Sequence, residues 1–253
     1  MIKRMFLAGL ALILGIGEIN TVGAAAPVVI FDHGHGQRFY ADKNGELDLS
    51  SLAGLFREGG FEVKTSGEVI SATLLSGIDG LVLSGAFKGF SKEEISVIVD
   101  FIEKGGKLSV MLHIGPPYSE LLHALGIDHS NGVIREREGI IDNEPLNFRV
   151  SNLKEHDIMK GLDGFNVYGS WAVVNTDANS GLIAETGPKA WVDLDGNKTF
   201  SPADAVQRFG VVVAGRIGKG EFVVFGDDAI FQNRFLAGPN VHLGRNLVKW
   251  MKQ

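Results

Sequence analysis

The chain has 253 residues and a formal net charge of -6 at pH 7. Hydrophobic residues make up 45% of it and charged residues 21%, values typical of a globular protein with a substantial core. It contains no cysteine, which excludes disulfides, zinc–thiolate sites and a thiol nucleophile, and the absence of any Lys/Arg-rich run argues against nucleic acid as a partner.

The first 26 residues have the layout of a secretory signal peptide. Lys3 and Arg4 form a basic start, the apolar stretch 5–17 follows, and the small residues of VGAAAP offer a cleavage site. We expect cleavage after Ala25, because Pro27 disfavours a cut directly before it. The apolar stretch is short for a membrane span, although an uncleaved anchor is the alternative. The sequence therefore predicts a periplasmic or extracellular protein whose mature chain does not span a membrane.

Strand-like and helix-like patterns alternate from residue 27 to residue 127. The clearest helix begins at Ser91, where Glu94 completes a capping box, and ends at Gly105 and Gly106. Short connections in such a β–α–β alternation predict an α/β fold with a mostly parallel sheet and helices on both faces. The predicted strands cover residues 27–31, 61–66, 80–85 and 107–113, and a further helix covers 49–60.

The pattern changes after residue 127. Residues 128–204 mix short strands with turns rich in Gly, Asn and Asp, and they keep too many apolar residues for a disordered linker. Residues 208–227 predict a hairpin with a Gly-Lys-Gly turn, and residues 240–251 predict an amphipathic helix. We therefore predict one α/β domain, made of residues 27–127 and 205–253, with a β-rich insertion over residues 128–204.

Polar residues cluster where the first predicted strand ends, in FDHGHGQ (31–37). Ligands of an open parallel sheet bind beyond the carboxyl ends of its strands, which makes Asp32, His33, His35 and Gln37 candidate ligand-binding residues. Histidine changes charge near neutral pH and suits acid–base chemistry, whereas a metal site would need further ligands that this stretch does not specify. The alternative is a plain turn in which Asp32 caps the loop and both histidines are solvated.

A second group of polar residues follows the predicted hairpin. Asp227 and Asn233 are candidates for the same edge of the sheet, although helix capping by Asp227 and Asp228 alone explains the pair. Nucleophilic catalysis has little support. Ser84 follows a strand without the pattern of a nucleophile elbow, and His113 follows the next strand with no nucleophile beside it.

The stretch DLDGNKTFSPAD (193–204) has oxygen-bearing residues at the spacing of a twelve-residue calcium loop. Lys198 stands where such a loop has glycine, and the last ligand is Asp instead of the longer Glu. Calcium binding and an ordinary Asp/Asn turn are both open at this point. The ligand positions are held by Asp193, Asp195, Asn197, Thr199, Ser201 and Asp204.

Several of these stretches resemble the class-I glutamine amidotransferase-like superfamily. The resemblance covers most of residues 28–127 and 205–251, and it is strongest in FDHGHGQ, GLVLSGAFKGFSKEEISVIVDFIEKGGKLSVM and GRIGKGEFVVFGDDAIFQNRF. Similar domains occur in exported bacterial and archaeal proteins, in auxiliary components of gliding-motility ABC transporters and in an intraflagellar transport subunit. The family's D-x-x-H-G and G-D…N elements fall on Asp32, His35 and Gly36 and on Gly226, Asp227 and Asn233.

The resemblance implies a flavodoxin-like sheet, but not the chemistry of the superfamily's enzymes. Those enzymes use a Cys nucleophile, so the absence of Cys excludes amidotransferase activity. The resemblance implies instead that the protein binds carbohydrate or interacts with another protein. We therefore expect a non-catalytic exported module that binds a glycan, a small polar ligand or a protein partner such as a membrane transport complex. The alternative is a periplasmic hydrolase that uses His35 and an Asp, with or without a metal.

Overall fold

The structure, a computed structural model, describes residues 25–253, so the predicted signal peptide lies almost wholly outside the described residues. The helices are α1 (Ser50–Glu58), α2 (Lys92–Glu103), α3 (Ser119–Ala124) and α4 (Pro239–Met251). The first strands are β1 (Val28–Asp32), β2 (Glu62–Ser66), β3 (Gly80–Ser84), β4 (Lys107–Met111), β5 (Ile127–Arg135), β6 (Ile140–Ile141), β7 (Glu144–Val150) and β8 (Asn152–Leu153). The others are β9 (Phe165–Tyr168), β10 (Trp171–Asn175), β11 (Ser180–Glu185), β12 (Trp191–Val192), β13 (Ala205–Val206), β14 (Gly210–Ile217) and β15 (Gly220–Phe225). No helix within residues 25–253 has the length and apolarity that a membrane crossing needs.

The largest sheet has eight strands in the order β2-β1-β3-β4-β15-β14-β11-β8. The first five strands in this order, β2, β1, β3, β4 and β15, run parallel to one another. The last three, β14, β11 and β8, extend the sheet in antiparallel pairing. The structure thus confirms the predicted α/β class and its large, mostly parallel sheet. It also contains the predicted hairpin, since β14 and β15 pair up to the turn at Gly218 and Lys219.

The apolar residues of this sheet divide between two hydrophobic clusters. Because successive strand residues point to opposite faces, Val29 and Phe31 of β1 belong to one cluster and Ile30 to the other. The first cluster also contains the apolar residues of α1 and α4, and the second contains those of α2 and α3. Each fully buried side chain of this kind contributes roughly 1.5–3 kcal/mol of hydrophobic stabilisation. The main sheet is therefore held between two apolar layers.

The regular structure within residues 128–204 is mostly strand. β10, β5, β12 and β13 form a four-stranded antiparallel sheet, and β6, β7 and β9 form a three-stranded one. β8 and β11 pair into the main sheet instead. These residues supply strands to the main sheet as well as to the two smaller sheets. The predicted division into an α/β domain and an insertion therefore stays a prediction.

Helix α2 begins with the capping box that the sequence predicts. Ser91 Oγ accepts a hydrogen bond from the Glu94 backbone N–H at 3.2 Å, and Glu94 Oε2 accepts one from the Ser91 backbone N–H at 3.0 Å. Only one carboxylate oxygen of Glu94 is needed for this cap. The other, Oε1, accepts the backbone N–H of Ile70 and faces the ring of His35.

Candidate functional site

The end of β1 carries a buried network built on His35. Its Nδ1 lies 2.7 Å from Asp32 Oδ2, and its Nε2 lies 3.1 Å from Glu94 Oε1. The ring also stacks on Phe90, with the two ring centroids 4.1 Å apart. The network therefore joins the loop after β1 to the first turn of α2.

The electrostatics of this network favour a charged imidazole. Burial alone would lower the pKa of His35, but the hydrogen bond and charge of Asp32, together with the charge of Glu94, raise it. Burial would likewise raise the pKa of Glu94, but hydrogen bonds from Ser91 and Ile70 and the charge of His35 lower it. An imidazolium between two carboxylates satisfies the polar groups of all three side chains in the interior.

Gln37 completes the network. Its Nε2 donates to Asp32 Oδ2, and its Oε1 accepts the backbone N–H of His35 at 2.7 Å. The second oxygen of Asp32 accepts the Gly34 N–H at 3.0 Å. Asp32, His35 and Gln37 are all buried. The structure brings these three predicted site residues together, but their hydrogen-bonding groups are used within the protein, and their ligand-binding role stays a prediction.

His33 and Asn233 are not part of the His35 network and have other partners. His33 is half-buried, and its Nε2 accepts the Ala41 backbone N–H at 3.2 Å; burial lowers its pKa. Asn233 Oδ1 accepts the Ser51 N–H at 2.8 Å, and its Nδ2 donates to the Gly45 carbonyl at 2.8 Å and to Ser50 Oγ at 3.0 Å. Asn233 thus serves the first turn of α1, which has no side-chain cap of its own.

Asp227 and Asp228 have different partners although they are adjacent. Asp227 accepts the Ala229 N–H at 2.9 Å and the Tyr168 N–H at 2.5 Å, one on each carboxylate oxygen. Burial, aided by the charge of Asp228, raises the pKa of Asp227 to about 7. Asp227 therefore holds the turn after β15, which agrees with the capping interpretation of that residue. Asp228 makes no capping hydrogen bond with its side chain.

Asp228 instead pairs with His113. Asp228 Oδ1 lies 3.1 Å from His113 Nδ1, and the side chains are 1% and 38% exposed, respectively. The hydrogen bond to Asp228 raises the pKa of His113, against the opposing effect of burial. A buried carboxylate thus holds a half-exposed imidazole and stabilises its charged form.

The backbone around this pair is also held firmly. The Asp228 N–H donates to the Leu112 carbonyl at 2.8 Å, and Trp171 Nε1 donates to the His113 carbonyl at 3.1 Å. Sequence reasoning considered His113 and Asp228 separately and did not join them. No local signal in the sequence joins them, because their contact depends on the register of β4 and β15, in which Met111 pairs with Phe225.

Aromatic side chains frame the His113 ring. Phe39 packs edge-on against it with centroids 4.9 Å apart, and Phe87 lies 5.3 Å away. The guanidinium of Arg38 sits over the Phe87 ring, 4.8 Å from its centroid. We call these five residues (Arg38, Phe39, Phe87, His113 and Asp228) the His113 site. It lies at the carboxyl ends of parallel strands, where open α/β sheets bind ligands.

Two buried oxygens near the His113 site have no hydrogen-bond partner among the described residues, Asp228 Oδ2 and Ser84 Oγ. Asp228 Oδ2 can lie close to the backbone of Gly85 because glycine has no side chain: a Cβ on Gly85 would lie 2.8 Å from this oxygen. Gly85 also has φ +61°, which other residues rarely adopt. Buried polar atoms normally have partners, so both oxygens are exceptions to the usual hydrogen bonding of the interior.

The Asp-rich loop brings three carboxylates together. Oxygens of Asp193, Asp195 and Asp204 lie within 4.8 Å of one another. Lys198, at the position where a calcium loop has glycine, has φ +63°, the backbone conformation that glycine adopts there most readily.

The same loop is also closed by its own side chains. Asp193 accepts the Gly196 and Lys198 N–H groups, at 2.7 and 2.6 Å, and Asn197 Oδ1 accepts the Thr199 N–H at 2.6 Å. These hydrogen bonds are those of ordinary Asp/Asn turns. Calcium binding here stays a prediction.

Comparisons with known proteins identify the fold. No family model and no curated protein matches the chain. Among solved structures, the mmIFT52 N-terminal domain matches with a TM-score of 0.72 and 15% identity, over 89% of this chain and 97% of that domain. A ThuA-like protein from Bacteroides uniformis matches with a TM-score of 0.55 and 15% identity, over 90% of this chain and 93% of its own. A protein described as a GMP synthase subunit, from Thermoplasma acidophilum, matches with a TM-score of 0.53 and 14% identity, over 90% and 94%. At such identities the likeness shows the fold alone, which is consistent with a class-I glutamine amidotransferase-like fold.

Proposed function

We propose that this chain is a non-catalytic, exported binding module that holds a small polar ligand or a glycan at the His113 site. On this proposal the sheet is flavodoxin-like, with helices on both faces. The strand order β2-β1-β3-β4-β15 supports this, because it is the order of flavodoxin-like doubly wound sheets. The separate clusters of α1 with α4 and of α2 with α3 support it as well.

The His113–Asp228 pair carries the proposal. A half-exposed imidazole that is oriented by a buried carboxylate offers a polar contact of defined direction, and Phe39 and Phe87 add apolar surface beside it. Pockets that bind small molecules combine these two kinds of surface. No Ser or Thr hydroxyl among residues 25–253 is hydrogen-bonded to His113, which favours binding over nucleophilic catalysis.

The same pair favours one alternative, a hydrolase in which His113 is the general base. A buried Asp that orients a histidine is the arrangement that activates water or a hydroxyl in many hydrolases. On this alternative Asp228 would hold the ring, and the exposed side of the ring would take a proton from water. The two functions differ in turnover, so one set of variants tests both.

The experiment is an NMR titration of the purified protein with a panel of neutral and acidic sugars, from monosaccharides to oligosaccharides. We expect at least one ligand to shift the His113 ring signals at millimolar concentration, and the shift to be lost in His113→Ala. His123→Ala is the matched control, because His123 also faces an aspartate, Asp128 at 3.7 Å, but is 57% exposed on α3.

Two results would contradict the proposal. If neither a neutral sugar nor a charged one such as glucuronate or glucose 1-phosphate perturbs His113, the site is not a binding site. If chromogenic ester or phosphodiester substrates are turned over, and turnover is lost in both His113→Ala and Asp228→Asn, the hydrolase alternative replaces the binding module.

A further inference from the structure

Two cations, Arg38 of the His113 site and the neighbouring Lys88, have no carboxylate partner among the described residues. Within residues 25–253, neither Arg38 nor Lys88 has an Asp or Glu oxygen within 4.0 Å, and both residues are exposed. The Arg38 guanidinium lies over one side of Phe87, and Lys88 follows Phe87 directly in the chain. Lys88 also packs along the loop after β1, where a Cβ on Gly36 would lie 3.2 Å from its Cγ. The loop after β1 and the loop after β3 therefore each bring one unpaired cation to this edge.

His113 adds a third group, an imidazole whose charged form is favoured by the hydrogen bond to Asp228, and that carboxylate lies behind the ring. Asp228 is 1% exposed and contacts Nδ1, so the side of the imidazole that faces solvent is not covered by the carboxylate. Phe87 contacts both the Arg38 guanidinium and the His113 ring, so the two groups share one aromatic neighbour. The carboxyl-end edge of the main sheet thus carries basic groups beside the rings of Phe39 and Phe87, although the net charge of the chain is -6.

We infer that the ligand of the His113 site is a small organic anion whose carboxylate or phosphate group is held by Arg38, Lys88 and His113. The inference rests on the proposed binding function and narrows its ligand class. Arginine suits this role because its planar guanidinium can donate two parallel hydrogen bonds to an oxyanion, and a hydrogen bond to a charged group is stronger than one between neutral groups. Phe39 and Phe87 would contact the apolar part of the ligand.

A titration with three matched probes tests this inference. Glucose, glucuronate and glucose 1-phosphate share a sugar ring and differ in the charged group. We expect glucuronate or glucose 1-phosphate to shift the His113 ring signals and glucose to have little effect. The ratio of the two anion affinities distinguishes a carboxylate from a phosphate as the natural group.

Two site variants and one control locate the anion. Arg38→Gln and Lys88→Gln should each weaken anion binding. We expect about a tenfold or greater loss of affinity for Arg38→Gln, because it removes a hydrogen bond between two charged groups. Lys104→Gln should leave binding unchanged, since Lys104 is 80% exposed and pairs with Asp100 at the far end of α2.

The failure of this inference differs from the failure of the proposed function. If glucose or another neutral sugar binds as well as the anions do, or if Arg38→Gln has no effect, the ligand is not an anion held by these cations, although the site binds. If the anions fail and a neutral ligand still shifts His113, the inference is again overturned and the binding function stands. If no probe of either kind binds, both are wrong.

Discussion

His113 and His35 show how the surroundings decide the role of one residue type. Both imidazoles contact an aspartate through Nδ1, and the pKa of each is raised. The ring of His35 is enclosed, with Glu94 on its other nitrogen, whereas the side chain of His113 is 38% exposed. The enclosed histidine stabilises the fold, and the exposed one has a nitrogen left for a ligand.

The Asp228→Asn variant tests the electrostatics of the His113 site. An asparagine can still accept a hydrogen bond from His113 Nδ1, but it carries no charge, so we expect the pKa of His113 to fall. The measurement is an NMR pH titration of the histidine ring protons. His33 is the internal control, because its pKa is lowered chiefly by burial and should not change.

The sign of the pH dependence follows from the raised pKa of His113. Its pairing with an ionised Asp228 stabilises the fold fully below the ordinary histidine value of 6.5, and this contribution is lost as the pH rises through the raised folded value. Burial raises the pKa of Asp228 as well, so the pairing is also lost in more acid solution, where Asp228 is protonated. The difference in stability between the wild type and Asp228→Asn should therefore shrink from mildly acid to alkaline pH. An unchanged His113 pKa in the variant would show that Asp228 does not set it.

At the scale of elements, the Asp32–His35–Glu94 network connects a strand to a helix. Glu94 caps α2 with one oxygen and contacts His35 with the other, and the two residues are 59 positions apart. The capping box was predictable, because its spacing is local. The contact with His35 was not, because it depends on where α2 packs relative to the end of β1.

Replacing His35 should therefore weaken the fold substantially. His35→Ala leaves two buried carboxylates facing each other without a cation, and breaking such a buried pair costs about 3–5 kcal/mol. His33→Ala is the matched control, since it removes one half-buried hydrogen bond worth about 1 kcal/mol. Urea unfolding measures the stability of both variants. Equal and small decreases in the free energy of unfolding would refute a structural role for the network. If His35→Ala does not fold, Glu94→Gln is the second variant. It keeps the shape of the capping residue but removes the charge that faces His35, so we expect a smaller decrease in the free energy of unfolding.

At the scale of the whole molecule, Gly226 joins two sheets. It directly follows β15 of the main sheet, and its carbonyl accepts the N–H of Trp171, the first residue of β10, at 2.7 Å. A Cβ at this position would collide with the Trp171 carbonyl oxygen. Gly226 is also the glycine of the family-like G-D…N element. Close approach of two backbones explains why a glycine stands there.

Gly226→Ala should consequently destabilise the protein by about 2 kcal/mol or more, because two hydrogen-bonded backbones cannot easily move apart. Gly181→Ala in β11 is the control, since a Cβ there meets no atom within 4 Å. We expect its effect on the free energy of unfolding to stay within about 1 kcal/mol. Equal stability of the two variants would mean that the sheets are free to separate at Gly226.

The sequence by itself determined the α/β class, the main helices and the hairpin of β14 and β15. These features depend on local periodicity, capping residues and turn residues, which are readable along the chain. Only the tertiary structure decided which polar residues meet. Asp32, His35 and Gln37 lie together, as their places in one short stretch indicate, but their polar groups bond within the protein and their ligand-binding role stays a prediction. His113 and Asp228 are 115 positions apart, and the parallel register of β4 and β15 brings them into contact. Strand register and helix packing arise from long-range contacts, and no local pattern in one sequence specifies them.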